Sequence, residues 1–220
     1  DRHIGGQIMA VSGPLARCVK DLEIALKAMS AENYDDPWWA PIPFSLPIPE
    51  KKIALLKKIE GLKIDPIISA ELDIVAKRLE DSGWVIEEPK APNFQEAAKF
   101  QATLWLGEFR RTGGEAITKE NDPDSNFIYS QMSRRCPDTS LEKFMDSLQQ
   151  RARISREWNK FFDQHPVILC PMTGEIPFQD LKDLESEESF DLVFDSMLPQ
   201  IAPPYMGCLL YTSPSPRDLY

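Results

Sequence analysis

Cys170 and His165 combine a thiol with an imidazole five residues apart in the last third of the chain. Within hydrogen-bond reach, such a pair would be a nucleophile and its base. The spacing argues against contact: a helix end and a strand separate the two, and Cys170 closes the apolar run Val167-Ile168-Leu169-Cys170, where a thiol is usually inert core. His3 is the other histidine, and without an HExxH or related spacing no metal centre is expected. Cys18, Cys136, Cys170 and Cys208 are widely spaced with no CxxC, which excludes a zinc ribbon and a small disulfide scaffold. Gly5-Gly6 and Gly113-Gly114 lack phosphate-loop context and read as turns. No cofactor is implied.

Pro171-Met172-Thr173-Gly174 follows an all-apolar strand, and in open α/β sheets ligands bind beyond the carboxyl ends of parallel strands. Thr173 offers a hydroxyl and Met172 an adaptable apolar wall, so these two are the candidate substrate-binding residues. A plain strand-to-loop exit is the competing reading. Phe100, Trp105 and Phe109 on one helix read as core before pocket lining. The acidic stretch from Asp180 to Asp191 reads as a solvated loop or helix face.

The elements that must hold these residues are readable from periodicity. A helix is expected from Leu15 to Ser30, with Val19, Leu22, Leu26 and Met29 at helical steps. Arg17 and Asp21, four apart at its start, are expected to form a local ion pair. Pro37 to Pro49 carries five prolines and the pair Trp38-Trp39, an extended connector. Ile53-Ala54-Leu55-Leu56 reads as a strand covered on both faces. Asp65 and Pro66 then open a helix with Ile68, Leu72, Val75 and Leu79 buried, Gly83 stops it, and Trp84-Val85-Ile86 follows as a parallel strand. Residues 52–88 are thus a βαβ unit. Asn93 and Glu96 start a further helix toward Arg111, Lys119 to Asn126 reads as a polar loop, and Thr139 with Glu142 has capping-box spacing for a long helix ending at His165-Pro166. The fold class is α/β, a layered mixed sheet covered by helices, in one incomplete domain.

With 220 residues and 42% hydrophobic content the chain can bury a substantial core. Twenty-five basic against thirty-five acidic residues give a net charge of −10, which repels phosphate backbones and anionic lipid, so no nucleic acid and no membrane partner is expected. The apolar runs are far shorter than the roughly 20 residues of a spanning helix. Asp1 opens the chain without methionine or leader, and both ends read as cut.

The stretch Ser12-Gly13-Pro14-Leu15-Ala16-Arg17-Cys18-Val19-Lys20-Asp21-Leu22 resembles the amidase signature family, with Cys18 where that family usually has a hydroxyl residue. Asp35-Asp36-Pro37-Trp38-Trp39, Gly83 to Glu88, Val167 to Thr173 and Ala202 to Gly207 are similar, in order, to later family segments. The resemblance covers about residues 1–207 and implies a hydrolase of carboxamide C–N bonds using a serine nucleophile, a second serine beside a cis peptide and a lysine base. Those residues lie upstream in the family, so no catalytic residue is expected here, and Ser12 is not one. The resemblance also implies a small-molecule amide substrate, no cofactor, a cytoplasmic location and room for a homodimer. It sharpens Met172 and Thr173 as acyl-side pocket walls. Alternatives are the amidase subunit of a tRNA-dependent amidotransferase and a non-enzymatic α/β interaction domain using Trp38, Trp39 and the long helix. From Cys208 to the end (residues 208–220), the chain resembles a translated sequencing adaptor, a non-native tail.

Overall fold

The structure is a computed structural model that describes residues 3–10, 12–37, 39, 41, 50–137 and 139–207. The tail from Cys208, Trp38 and most of the proline connector lie outside the described residues.

At its centre is β1 (Lys52–Leu55), flanked by β2 (Val85–Glu87) and β3 (Val167–Leu169) in the order β2-β1-β3. Both pairings are parallel, with Ile53 opposite Ile86 and Val167. Ile53, Ala54 and Leu55 are all buried, as an apolar run covered on both faces requires. The class is therefore α/β, and the described residues carry a parallel part of its sheet.

One face is covered by α3 (Pro66–Asp81). Asp65 caps it by accepting from the Ile67 N–H at 2.7 Å, Pro66 occupies the first turn, and Gly83 beyond its end takes φ 84°, all as the sequence indicates. Of the expected stripe Leu72 is buried, Ile68 and Leu79 are half-buried and Val75 is exposed; Ala76, one turn beyond Leu72, joins it against Leu55 in the core instead.

The opposite face carries the main core. It is built by α1 (Ile4–Met9), α4 (Phe94–Thr112), α7 (Leu141–Gln164) and α9 (Leu198–Tyr205). Met9, Ala54, Leu56, Phe94, Leu104, Ile154, Trp158 and Tyr205 are buried together there. Trp158 meets Phe94 edge-on with ring centroids 4.9 Å apart, and the Tyr205 hydroxyl donates to the Ser147 carbonyl. Arg151 Nε donates to the Tyr205 carbonyl at 2.7 Å and its Nη2 to the Ile8 carbonyl at 3.3 Å, so one guanidinium meets the carboxyl ends of two helices.

Several expected boundaries move. The α7 cap is Ser140, whose Oγ accepts from the Lys143 N–H at 3.2 Å; Thr139 instead turns its hydroxyl to the Pro137 carbonyl. Gly5-Gly6 is not a turn but part of α1, held by Glu108, whose carboxylate accepts from the Ile4 N–H at 2.8 Å and from the Gly5 N–H. The polar loop expected at 119–126 contains the end of α5 (Gly114–Glu120) and the start of α6 (Pro123–Arg135), divided by Asn121 at φ 56°. Asp122 caps α6 by accepting from the Ser125 N–H at 2.8 Å, which also keeps its carboxyl below the usual range.

The first expected helix is α2 (Val19–Met29), four residues shorter at its start than its pattern suggests. Arg17 precedes it, so the helical i,i+4 geometry needed for its pair with Asp21 is missing, and no such ion pair forms among the described residues. None of its side chains is buried.

Candidate functional site

Parallel strands point their carboxyl ends to one side of the sheet, and that is where the loops after β1 and β3 meet. The Leu56 N–H donates to the Leu169 carbonyl at 2.9 Å, extending the pairing just past the strands. Beyond it, the Asp65 N–H donates to the Gly174 carbonyl at 2.8 Å, and the Gly174 N–H donates to the Ser196 carbonyl at 2.8 Å. A Cβ on Gly174 would stand 2.3 Å from the Lys63 carbonyl oxygen, so this close approach requires glycine.

The two sequence candidates sit on this locked loop. Met172 is exposed, and its carbonyl accepts from Gln200 Nε2 at 3.2 Å. Thr173 is half-buried and spends its hydroxyl on the Glu175 carbonyl at 2.6 Å. The structure thus ties Met172 to α9 through its carbonyl and Thr173 to the following turn through its hydroxyl, with the Met172 side chain left exposed.

Beside them, on the other flank of α9, lies a cavity of about 540 Å³ between α4, the end of α6, the start of α7 and α8 (Glu187–Ser196). Phe100, Leu106, Met132, Phe194, Leu198 and Ile201 give it an apolar body. Lys99, Lys143 and Asp146 stand at its exposed rim. The volume suits a small organic molecule. Met172 and Thr173 do not line this cavity; α9 is the element shared with it, holding Met172 through Gln200 while Leu198 and Ile201 form the cavity wall.

Arg135 is the charged group most firmly built into this wall. Its Nη1 donates to Asp191 Oδ1 at 2.6 Å, its Nη2 donates to Asp195, and its guanidinium carbon lies 4.6 Å from the Phe194 ring centre. Burial opposes the Arg135 charge, yet its hydrogen bonds to Asp191 and Asp195 outweigh it and hold the group above its ordinary value. Burial likewise works against the Asp191 carboxylate, and Arg135 and Arg134 overcome it, so Asp191 titrates below the usual range. Part of the acidic stretch is therefore not solvated surface: Asp191 joins Asp195 in tying α8 to α6. Periodicity carries a weak signal of this, since the two carboxylates are four apart and Arg134-Arg135 are adjacent.

The thiol and imidazole are not brought together. His165 stands before β3 and Cys170 after it, so an extended stretch of roughly 3.3 Å per residue separates them. His165 is buried, stacked on Phe161 at 4.9 Å, with Nε2 2.9 Å from Glu87 Oε2. Lys52 Nζ lies 3.0 Å from the other oxygen of Glu87, and these two partners, Lys52 first, lower the Glu87 pKa. This knot ties the start of β1, the end of β2 and the residue two before β3 together, and none of its three residues lines the cavity. Of the helix aromatics, Phe100 lines the cavity, Trp105 faces His3 and Phe109 faces Tyr129. Among the described residues no cluster of His, Cys, Asp and Glu suits a metal ion.

A parallel sheet covered by helices, with the loops after β1 and β3 joined beyond its carboxyl ends, places the chain among the α/β domains. Residues 5–203 match the family model described as Amidase, and the chain belongs to that family. It is 30% identical over 175 residues to the indoleacetamide hydrolase of Bradyrhizobium diazoefficiens, covering 79% of this chain and 33% of that protein. The indoleacetamide hydrolase of Bradyrhizobium japonicum is also 30% identical over 175 residues, with 38% of its length covered. The chain therefore spans about a third of the length of these curated relatives. In fold it resembles fatty acid amide hydrolase, with a TM-score of 0.66 at 20% identity over 88% of this chain and 36% of that one. It also resembles 6-aminohexanoate cyclic dimer hydrolase, with a TM-score of 0.66 at 13% identity over 87% of this chain and 45% of that one.

Proposed function

We propose that the chain is the C-terminal part of an amidase-type hydrolase that cleaves carboxamide C–N bonds, with the reactive serine, second serine and lysine encoded outside these 220 residues. The observation that carries this reading is the family match over residues 5–203, combined with how the serines here are used. Ser140 and Ser186 cap helices, Ser82, Ser147 and Ser196 donate to nearby carbonyls, and among the described residues no serine is hydrogen-bonded to a lysine side chain. A lysine base needs a site that favours its neutral amine and a serine within reach, and the oxyanion needs preorganised donors.

In this reading the substrate is a small carboxamide. Met172 and Thr173 face its acyl side, and the cavity beside α9 receives the apolar group attached to it. The whole protein works without a cofactor, nucleic acid or membrane partner, in the cytoplasm, and as a homodimer if it assembles. Among the described residues no helix is long and apolar enough to cross a membrane. Residues 1–207 form the amidase part and 208–220 the non-native tail.

The test is direct. The 220-residue chain, supplied with indole-3-acetamide, releases no ammonia above background, whereas the polypeptide encoded by the complete gene does so and loses the activity when its serine nucleophile is replaced by alanine. Serine-dependent turnover by the 220-residue chain alone refutes the assignment of the catalytic groups to sequence outside it.

A further inference from the structure

We propose that residues 175–195 form a lid over the cavity beside α9, hinged where Gly174 meets Ser196 and latched to α6 by Arg134 and Arg135. The proposal rests on the reading of that cavity as the seat of the substrate's apolar group, while the movement itself is independent of amide cleavage.

The chain leaves the body of the domain at Gly174 and returns to it at Ser196, and the Gly174 N–H donates to the Ser196 carbonyl at 2.8 Å. The excursion therefore starts and ends at one point. That point is fixed: the Gly174 carbonyl accepts from the Asp65 N–H, a Cβ on Gly174 would strike the Lys63 carbonyl oxygen, and Ser196 is buried. Beyond it lie a 3₁₀ turn (Lys182–Leu184), entered through Leu181 at φ 57°, and then α8. Among the described residues, none from 175–197 belongs to the main core or packs against it. Phe190 is buried and stacks on Phe194 at 5.8 Å within the excursion itself, while Ile176, Leu181 and Leu192 are exposed. A segment with so little apolar cover against the domain opens at low cost.

α8 packs on the 3₁₀ turn, on the adjoining α9 and on α6, and its hold on α6 is charge. Arg134 reaches Asp191 at 2.6 Å and Glu187 at 3.3 Å, and Arg135 reaches Asp191 at 2.6 Å and also Asp195. Both arginines stand in the last turn of α6, a helix that likewise supplies nothing to the main core. Met132, Arg135 and Cys136 wall the cavity on one side of this seam, Phe194 and Asp195 on the other. Parting the seam thus opens the cavity. Glu187 and Asp195 keep 54% and 60% of their side chains exposed, so salt reaches the latch and weakens it. Asp191 is the shared member, accepting from both arginines. Cys136 stays with α4, because Arg110 donates to its carbonyl, so its thiol registers the departure of α8.

The test is the rate at which N-ethylmaleimide labels Cys136, buried in the cavity wall, beside that of Cys170, which packs against the main core. Peptide mass spectrometry reads both thiols, in the 220-residue chain and in the polypeptide encoded by the complete gene. Asp191→Asn is expected to speed labelling of Cys136 about 10-fold and to leave Cys170 within about 2-fold. Raising sodium chloride from about 0.05 M to about 0.5 M is expected to speed Cys136 about 3-fold in the unsubstituted protein and not in Asp191→Asn. Asp73→Asn, which takes a carboxylate from Lys57 on the α3 side of the sheet, is expected to change neither thiol. Cys136 rates that ignore both Asp191→Asn and salt overturn the proposal. So do Cys136 and Cys170 rates that rise together, the mark of general loosening. If Asp191→Asn does not fold, the salt response of the unsubstituted protein decides. A longer polypeptide that cleaves no carboxamide yet gates Cys136 keeps the lid and loses the proposed activity; one that cleaves carboxamides with Cys136 ungated does the reverse.

Discussion

α2 and α7 carry the same kind of message in sequence and meet opposite fates in the structure. Both place apolar residues at three- and four-residue steps and charges on the other side. In α7 the stripe is answered: Ile154 and Trp158 are almost fully buried against Phe94, Leu104 and Tyr205. In α2 it is unanswered, and no side chain is buried. Periodicity therefore tells which face of a helix is meant for burial, but not whether the burying partner lies within reach of the chain at hand. Most helical stability comes from that partner.

The widest separation between the two helices is expected from truncating each stripe. Trp158→Ala removes the ring at the centre of the main core and is expected to destabilise the chain by about 3–5 kcal/mol. Leu26→Ala in α2 should change stability by about 0.5 kcal/mol or less in the 220-residue chain. Urea unfolding followed by circular dichroism measures both, and similar losses would erase the contrast. A second test uses polar groups. Arg151→Met leaves the Ile8 and Tyr205 carbonyls at two helix ends without their donor, with an expected loss of about 1.5–3 kcal/mol in the same assay. The substitution should loosen α1 and α9 together and leave α2 unchanged in hydrogen exchange.

Much of this arrangement was legible, and what was not has physical reasons. Asp65, Pro66 and Gly83 punctuate α3 through local chemistry, and local chemistry is present in any window of sequence. At α7 two hydroxyl residues compete for one cap, and the spacing Thr139 to Glu142 favoured the wrong one by a single position. Helices α5 and α6 are too polar to show a stripe, so Asp122-Pro123 read as loop when it is a cap and a first turn. The loop of Met172 and Thr173 was readable because it follows a strand. The cavity beside it was not, since Phe100, Met132, Phe194 and Ile201 come from four helices and converge only in three dimensions.

The acid response separates the sheet from α2 as well. Lys52 and His165 lower the Glu87 pKa below its ordinary value of 4.5. A carboxylate lowered in the folded state contributes stability that is present above its unfolded pKa and is lost as pH falls through the folded one. Unfolding midpoints should therefore drop below about pH 4.5 with a contribution that Glu87→Gln removes, and the two proteins should converge at the acid end. His165 packs on Phe161 from α7, so the readout is the sheet and its main core. An unchanged difference between the two proteins from neutral pH to acid would mean that Glu87 does not link these elements.

The smallest effect contrasts two ion pairs of identical spacing. Glu23 and Lys27 on α2 are 2.7 Å apart, and Arg153 and Glu157 on α7 are 2.8 Å apart. Each is worth only a few tenths of a kcal/mol on an exposed helix face. The consequence differs because the helices differ in what else holds them. An 11-residue helix with no buried side chain is marginal, so a few tenths shift its population visibly, whereas α7 is fixed by Trp158 and Ile154 whatever its surface charges do. Glu23→Gln should accordingly reduce the helical circular dichroism signal of the 220-residue chain and make it more salt-sensitive, and Glu157→Gln should leave that signal unchanged. An equal loss of signal from the two substitutions would show that α2 depends on its surface pair no more than α7 does.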